Sequence, residues 1–300
     1  MKKTAKVHHL YRANWFDYLN CFIMFLIIVV TVYPLYYCAI VSISDGAAVI
    51  RGDVLWKPIG FDTKSYEVVF GNKQILGAYG NTIYYTALGT VINIVMTALC
   101  AYPLSRPKLK GRRVLNFLFM LTMFINGGLI PMYLQIKSLE LLNTTWAIVL
   151  PGAISTYNMI IMRTFFSSIP EDLHEAAQID GASQINVFLT IVLPLSQTII
   201  ATLVLFYAVG HWNSFMSALL YLEDQNRMPL QIIIRKMVID SDLASMTTAN
   251  SSTSSSSETL LSENKIKYAI VMISVLPMVI VYPFLQKYFV NGVMIGAIKG

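Results

Sequence analysis

The sequence predicts an all-α integral membrane protein of six transmembrane helices, with a cytoplasmic helix-Gly-helix element between the fourth and fifth. Three observations predict it. Of 300 residues, 56% are hydrophobic and only 13% charged, and the mean hydropathy is +0.59, far from the composition of soluble domains. Several uncharged stretches exceed the ~18–20 residues that cross a hydrocarbon core at helical rise. One short segment, 168–194, instead carries four carboxylates, Glu171, Asp172, Glu175 and Asp180, together with His174.

Taken in order, Lys2, Lys3, Lys6 and Arg12 form a basic tail over 1–18 ahead of the first span, 19–43. That apolar stretch is longer than a signal-peptide core and lacks a small-x-small cleavage site, so it reads as an uncleaved span. An outer segment follows over 44–79. The remaining spans are drawn at 80–104, 114–134, 143–165, 195–221 and 268–287, and together 80–287 forms the core. An even number of spans puts both termini on one side. Arg106, Lys108, Lys110, Arg112 and Arg113 crowd the second loop, against Lys137 alone in the third. Lys and Arg accumulate on the cytoplasmic side, so the two tails, 1–18 and 288–300, are expected there.

The fifth loop, 222–267, then faces outward, and Ser251–Ser257 reads as a flexible tether. The net charge of +6 reports topology rather than nucleic-acid binding. Cys21, Cys38 and Cys100 all fall within apolar stretches and read as small buried hydrophobes. Leu-Pro recurs at 150–151, 193–194 and 276–277, where proline starts or kinks a helix because it lacks an amide hydrogen and crowds the preceding turn.

The fourth loop, 168–194, departs from this pattern. Ser168 and Glu171 fit a capping box, and the acidic first turn suits the helix dipole. Leu173, Ala176, Ala177 and Asp180 follow at i, i+3, i+4 and i+7, giving a small flat patch edged by carboxylates. Gly181 suits the left-handed residue that ends this helix. Ser183 can cap a second helix over 184–193, with Val187, Phe188, Ile191 and Val192 on its apolar side, before Pro194 opens the fifth span. A helix lying on lipid is the plain alternative. Such helices are usually basic because the inner leaflet is anionic, and no Lys or Arg occurs between Glu171 and Pro194.

The run Glu175-Ala176-Ala177-Gln178-Ile179-Asp180-Gly181-Ala182, with Ile191-Val192-Leu193-Pro194 downstream, resembles the EAA loop of the permease subunits of bacterial ABC importers. Leu141–Phe166, Trp212-Asn213 and Asn291–Gly300 are similar to the carbohydrate-uptake branch, the smaller maltose-type permease and oligosaccharide permeases. The resemblance implies a multi-pass subunit of the bacterial inner membrane. Its partners would be a second permease, a cytoplasmic ATPase dimer and an extracytoplasmic sugar-binding protein, with an oligosaccharide as substrate and membrane lipid around it. It implies that Glu175, Ala176, Ala177, Asp180, Gly181, Ala182 and Pro194 serve ATPase coupling, and that the tail Val290–Gly300 reaches toward the ATPase interface. Two departures are Thr198, where a second proline is common, and the long Ser-rich fifth loop.

What the sequence lacks is equally informative. No G-x-x-x-x-G-K-[ST] occurs, so ATP and Mg would be bound by the partner and no cofactor by this chain. No H-E-x-x-H or membrane-embedded Asp pair argues for a hydrolase, and the chain is expected to be non-catalytic. The six spans carry no Asp, Glu, Lys or Arg away from their ends, which disfavours an ion-coupled secondary transporter. His211 reads as a neutral, hydrogen-bonded group lining a wet cavity. Sugars call for aromatic faces, amides and hydroxyls, so Tyr84, Asn93, Asn126, Asn158, Trp212 and Asn213 are path candidates. Their alternative is interhelical bonding or an interfacial belt. A membrane scaffold using the acidic loop as a partner site is a third class of function.

Overall fold

The computed structural model describes residues 14–237, 239 and 265–283. Lys2, Lys3, Lys6, Arg12, Ser251–Ser257 and Val290–Gly300 lie outside the described residues. Among the described residues the chain is helical, with one isolated bridge between Ser44 and Phe61.

Helix α1 (Trp15–Ser42) starts where Asn14 N–H donates to Asp17 Oδ2 at 2.7 Å. It fully buries only Ile40, Val41 and Ser42 at its far end, with Tyr37 packed beside them, while most of its apolar side chains before residue 33 are exposed, as lipid contact requires. The outer segment is not an unstructured loop. It holds α2 (Gly46–Ile50) and α3 (Lys64–Gly71). Asp62 Oδ2 accepts from Lys265 Nζ at 2.7 Å, and Asp62 Oδ1 from Lys64 N–H at 2.9 Å.

The Lys265 bond first, then the Lys64 amide, hold the Asp62 carboxyl below its ordinary range. A carboxylate with a depressed folded pKa stabilises the fold above its unfolded pKa, and that contribution fades as pH falls through the folded value. The tie to Lys265 should therefore persist at neutral pH and weaken on acidification below about pH 4. Asp62→Asn is expected to flatten the acid limb of thermal unfolding measured in detergent; an unaltered limb would show that this pair does not link the two segments.

Helix α4 (Lys73–Ser105) organises the rest. It begins well before the expected residue 80 because Asn72 Oδ1 accepts from Gln74 N–H at 2.9 Å, while its polar first turns hide it from hydropathy. Ala78, Thr82, Gly89, Asn93, Thr97 and Ala101 are buried along it at helical spacing. Small residues let neighbouring helices approach closely where no hydrophobic force drives them together.

Three expected spans are broken. The third divides into α5 (Arg112–Phe124) and α6 (Leu129–Ser138), which meet at 114°. The cause lies in Asn126-Gly127-Gly128: Asn126 Oδ1 accepts from Gly128 N–H at 2.9 Å, and Gly128 has φ 84°. The fourth divides at Leu150-Pro151-Gly152 into α7 (Thr145–Val149) and α8 (Thr156–Ser167). The carboxyl-terminal half continues through α9 (Glu171–Ile179), α10 (Gln184–Val187), a π-helical turn at Phe188–Val192 and α11 (Leu193–Leu195).

Helix α12 (Gln197–Trp212) leaves that run at 80°, so Pro194 precedes the bend rather than opening the fifth span. That span then stops at Trp212 and resumes as α13 (Met216–Tyr221). The expected fifth loop contains α14 (230–237) before α15 (Lys265–Pro283). By length and composition, α1, α4 and α15 can cross a bilayer, and the two bent pairs raise the number to five; the fourth expected span has no helix of that length. The inner core joins α4, α8, the π-turn and α12 through Ala98, Ala101, Tyr102, Met159, Met162, Phe166, Phe188, Leu203 and Tyr207.

Candidate functional site

At one end of this core, α9, Gly181 and α10 form a hairpin of helices. Gly181 has φ +80°, and its N–H donates to Gln178 O at 3.0 Å. Ser183 Oγ accepts from Asn186 N–H at 3.2 Å, starting α10 as expected. The Ser168 box does not form. Ser168 belongs to the end of α8, where its hydroxyl donates to Phe165 O, and Pro170 occupies the α9 N-cap. Glu171 turns to another partner: Arg106 Nη2 donates to its Oε1 at 2.7 Å, with Arg106 only 14% exposed. This pair fastens the start of α9 to the end of α4.

The hairpin is seated by apolar burial. Val187, Phe188 and Val192 are buried, each stabilising by about 1.5–3 kcal/mol relative to exposure in water. Tyr102 stands at the junction, 4.8 Å from the Phe188 ring, with its hydroxyl donating to Gln184 Oε1 at 3.2 Å. His174 stacks on the Tyr102 ring, 1% exposed, with Nδ1 3.3 Å from Pro170 O. Burial, then the Arg106 charge, push its pKa down, so the imidazole is neutral at neutral pH.

The two alanines separate. Ala176 is exposed, whereas Ala177 is partly buried against the core, so they do not share one flat patch. Glu175 Oε1 lies 3.3 Å from Lys108 Nζ, but both side chains are mostly exposed and the pair contributes little. Asp180, Gly181 and Pro194 are exposed and Ala182 is partly buried. The outward face also carries Ile179, 86% exposed, and Ile185, 72% exposed.

About 24 Å away, the length of α12 at helical rise, the opposite end of that helix borders a second feature. Trp212, Asn213, Gln231, Ser274 and Tyr282 help line a cavity of about 290 Å³, near the lower limit of small-ligand sites. Trp212 Nε1 donates to Ser274 O at 3.1 Å, and its ring meets Tyr79 edge-on. Asn213 ends α12 and is exposed.

The other path candidates are dispersed. Asn93 is buried, accepting from His211 Nε2 at 2.6 Å and donating to Gly152 O. His211 therefore bonds helix to helix and does not border this cavity. Asn158 is buried in α8, Asn126 supports the α5–α6 break, and Tyr84 is exposed beside Tyr85.

The sequence profile described as "Binding-protein-dependent transport system inner membrane component" matches residues 75–295. The chain belongs to this family. Protein LplC of Bacillus subtilis (strain 168) is 40% identical over 300 residues, covering all of both chains. The polygalacturonan/rhamnogalacturonan transport system permease protein YtcP of the same organism is 38% identical over 290 residues, covering 95% of this chain and 98% of the relative. A solved structure, described as a crystal structure of a bacterial ABC transporter involved in the import of the acidic polysaccharide alginate, superposes with a TM-score of 0.82. It is 33% identical and covers 91% of this chain and 96% of its own.

In this inner membrane component, Arg106 and Tyr102 were not legible as parts of the hairpin, because they meet it only through the packing of α4, and the burial of His174, which the sequence already places in the segment, follows from the same packing. Gln231 fell within the expected fifth loop. Its signal is the apolar periodicity of Leu230, Ile233, Ile234 and Met237, which betrays a packed helix.

Proposed function

We propose that this chain is the permease subunit of an ATP-driven importer that moves an oligosaccharide inward by alternating access, after delivery by an extracytoplasmic binding protein. The helix-Gly-helix hairpin carries the reading. It is seated on α4, α8 and α12 by Val187, Phe188 and Val192, and pinned by Arg106, while Ala176, Ile179, Asp180 and Ile185 face outward. A rigid element with a buried root and an exposed tip can pass a push to the spans it is rooted in, since packed helices move as units. Glu175, Ala176, Asp180 and Gly181 are assigned to ATPase contact, Ala177 and Ala182 to seating the element, and Pro194 to its junction with α12.

The hairpin and the basic residues Arg106–Arg113 face the cytoplasm in this reading, as do both termini, and the ATPase dimer holds ATP and Mg. The chain itself binds no cofactor and catalyses nothing. A second permease is also called for. Residues 121–130 are all exposed, including the non-helical Asn126-Gly127-Gly128, and such backbone is tolerated at membrane depth only against protein or a water-filled cavity. Sugar is the cargo of choice because two similar proteins, named for polygalacturonan/rhamnogalacturonan and for alginate, handle saccharides, and the cavity at Trp212 offers an aromatic and amides.

Cysteine placed at Ile185, in the assembled importer, should crosslink to a nucleotide-hydrolysing subunit, whereas cysteine at buried Val187 should not. Adducts with phospholipid alone from Ile185 would overturn the coupling role. Transport driven by an ion gradient in vesicles holding this chain without an ATPase would favour the secondary transporter instead, and intact sugar uptake after loss of hairpin partners would favour the scaffold.

A further inference from the structure

Helix α14 has three faces, and the first two are spoken for. Leu230 and Ile233 are buried against Val69, Ile75, Ala78, Ala269 and Ile270, with Ile234 and Met237 packed on the same side. Ile232 enters a separate cluster with Tyr85, Val149 and Leu222. Gln231 and Arg235, four residues apart, share the third face. Gln231 lines the Trp212–Asn213 cavity. The Arg235 guanidinium lies 5.2 Å from the centre of the Phe215 ring, two residues beyond Asn213.

A cation over an aromatic face is held in place without having its charge neutralised. Among the described residues no carboxylate forms an ion pair with Arg235. The cavity lining itself contains no charged side chain. The arrangement is therefore an uncharged cavity, walled by Leu205, Val209, Val275, Met278 and Val281 as well as by two aromatics and two amides, with one braced guanidinium a helical turn from Gln231. A guanidinium fork matches the two oxygens of a carboxylate better than any group on a neutral sugar.

We propose that Arg235, steadied by Phe215, is a specificity residue that reads a carboxylate on the entering saccharide, so that the preferred cargo is a uronate-containing oligosaccharide. This rests on the reading of the chain as a saccharide permease. Gln231 and Asn213 would meet hydroxyls of the same or the neighbouring ring, while Phe215 braces the guanidinium one helical turn along from Gln231.

The test compares trigalacturonate with its fully methyl-esterified, neutral counterpart in vesicles containing the complete importer. Wild type should take up the acid in preference. Arg235→Gln should lower uptake of the acid roughly tenfold, the scale of one charge-assisted contact, and leave that of the ester within about twofold. Arg235→Lys, which keeps the charge and loses the fork, should fall between. Equal loss of both substrates in Arg235→Gln, or wild-type preference for the ester, would overturn the carboxylate assignment while leaving the permease reading standing. Failure of wild type to take up either saccharide, with ATP hydrolysis intact, would remove the saccharide reading and this proposal with it.

Discussion

Gly181→Pro is expected to abolish ATP-driven uptake while the protein still inserts and assembles. Gly181 sits at φ +80°, and proline is locked near −65°, so the chain cannot turn from α9 into α10 as it does now. The substitution also removes the N–H that donates to Gln178 O. Together these cost about 3 kcal/mol or more, enough to displace α9 while Val187, Phe188 and Val192 keep the root seated. Gly181→Ala separates conformation from crowding. A Cβ at this position meets nothing within 4 Å, so only the left-handed backbone is penalised, by about 1–2 kcal/mol, and partial uptake should remain. The readouts are saccharide uptake and saccharide-stimulated ATP hydrolysis, with membrane abundance as the control. Undiminished uptake by the proline variant would exclude the hairpin as the route of transmission.

Gly89→Leu should instead damage the fold. A Cβ built on Gly89 would overlap the His211 imidazole. That ring cannot swing aside cheaply, because Nε2 is held by Asn93 Oδ1 at 2.6 Å. The added side chain must separate α4 from α12 or break that bond, and overpacking of this kind costs about 1–3 kcal/mol or more. A lower midpoint of thermal unfolding in detergent and poor recovery from the membrane are the expected results. Gly89→Leu combined with His211→Ala should regain part of the loss, since the obstructing ring is gone. A single variant melting with wild type would mean that the two helices are not in tight contact there.

The architecture was legible wherever one physical term dominated. Long uncharged runs announced α1, α4 and α15, and the hairpin declared itself because Gly181, Ser183 and the acidic first turn each have a local reason for their positions. Hydropathy failed at Asn126-Gly127-Gly128 and at Leu150-Pro151-Gly152, because a running average treats a broken span as a continuous one. The Ser168 box was misread for a different reason. Glu171 had a better partner in Arg106, 65 positions earlier in the chain, and no local pattern could reveal it.

The path candidates show the same division. Trp212 and Asn213 share one cavity, but Asn93 and Asn158 are buried, because an amide in a span can equally serve a neighbouring helix. Gln231 and Arg235 were invisible while 222–267 read as loop.

The interruption between α7 and α8 has its polar groups claimed from both sides. Asn93 of α4 donates to Gly152 O, and His211 of α12 must carry its proton on Nε2, since Asn93 Oδ1 can only accept. Ser155 N–H donates to the Tyr207 hydroxyl at 3.2 Å, which also shares a hydrogen bond with Thr97 Oγ1 at 2.7 Å. Two backbone groups freed from a helix, Gly152 O and Ser155 N–H, are thus satisfied by side chains of neighbouring helices. Leu150, Pro151 and Gly152 are themselves exposed, so the joint at 150–155 is tethered to α4 and α12 along one face only, and a bend about its proline would be felt by both helices at once.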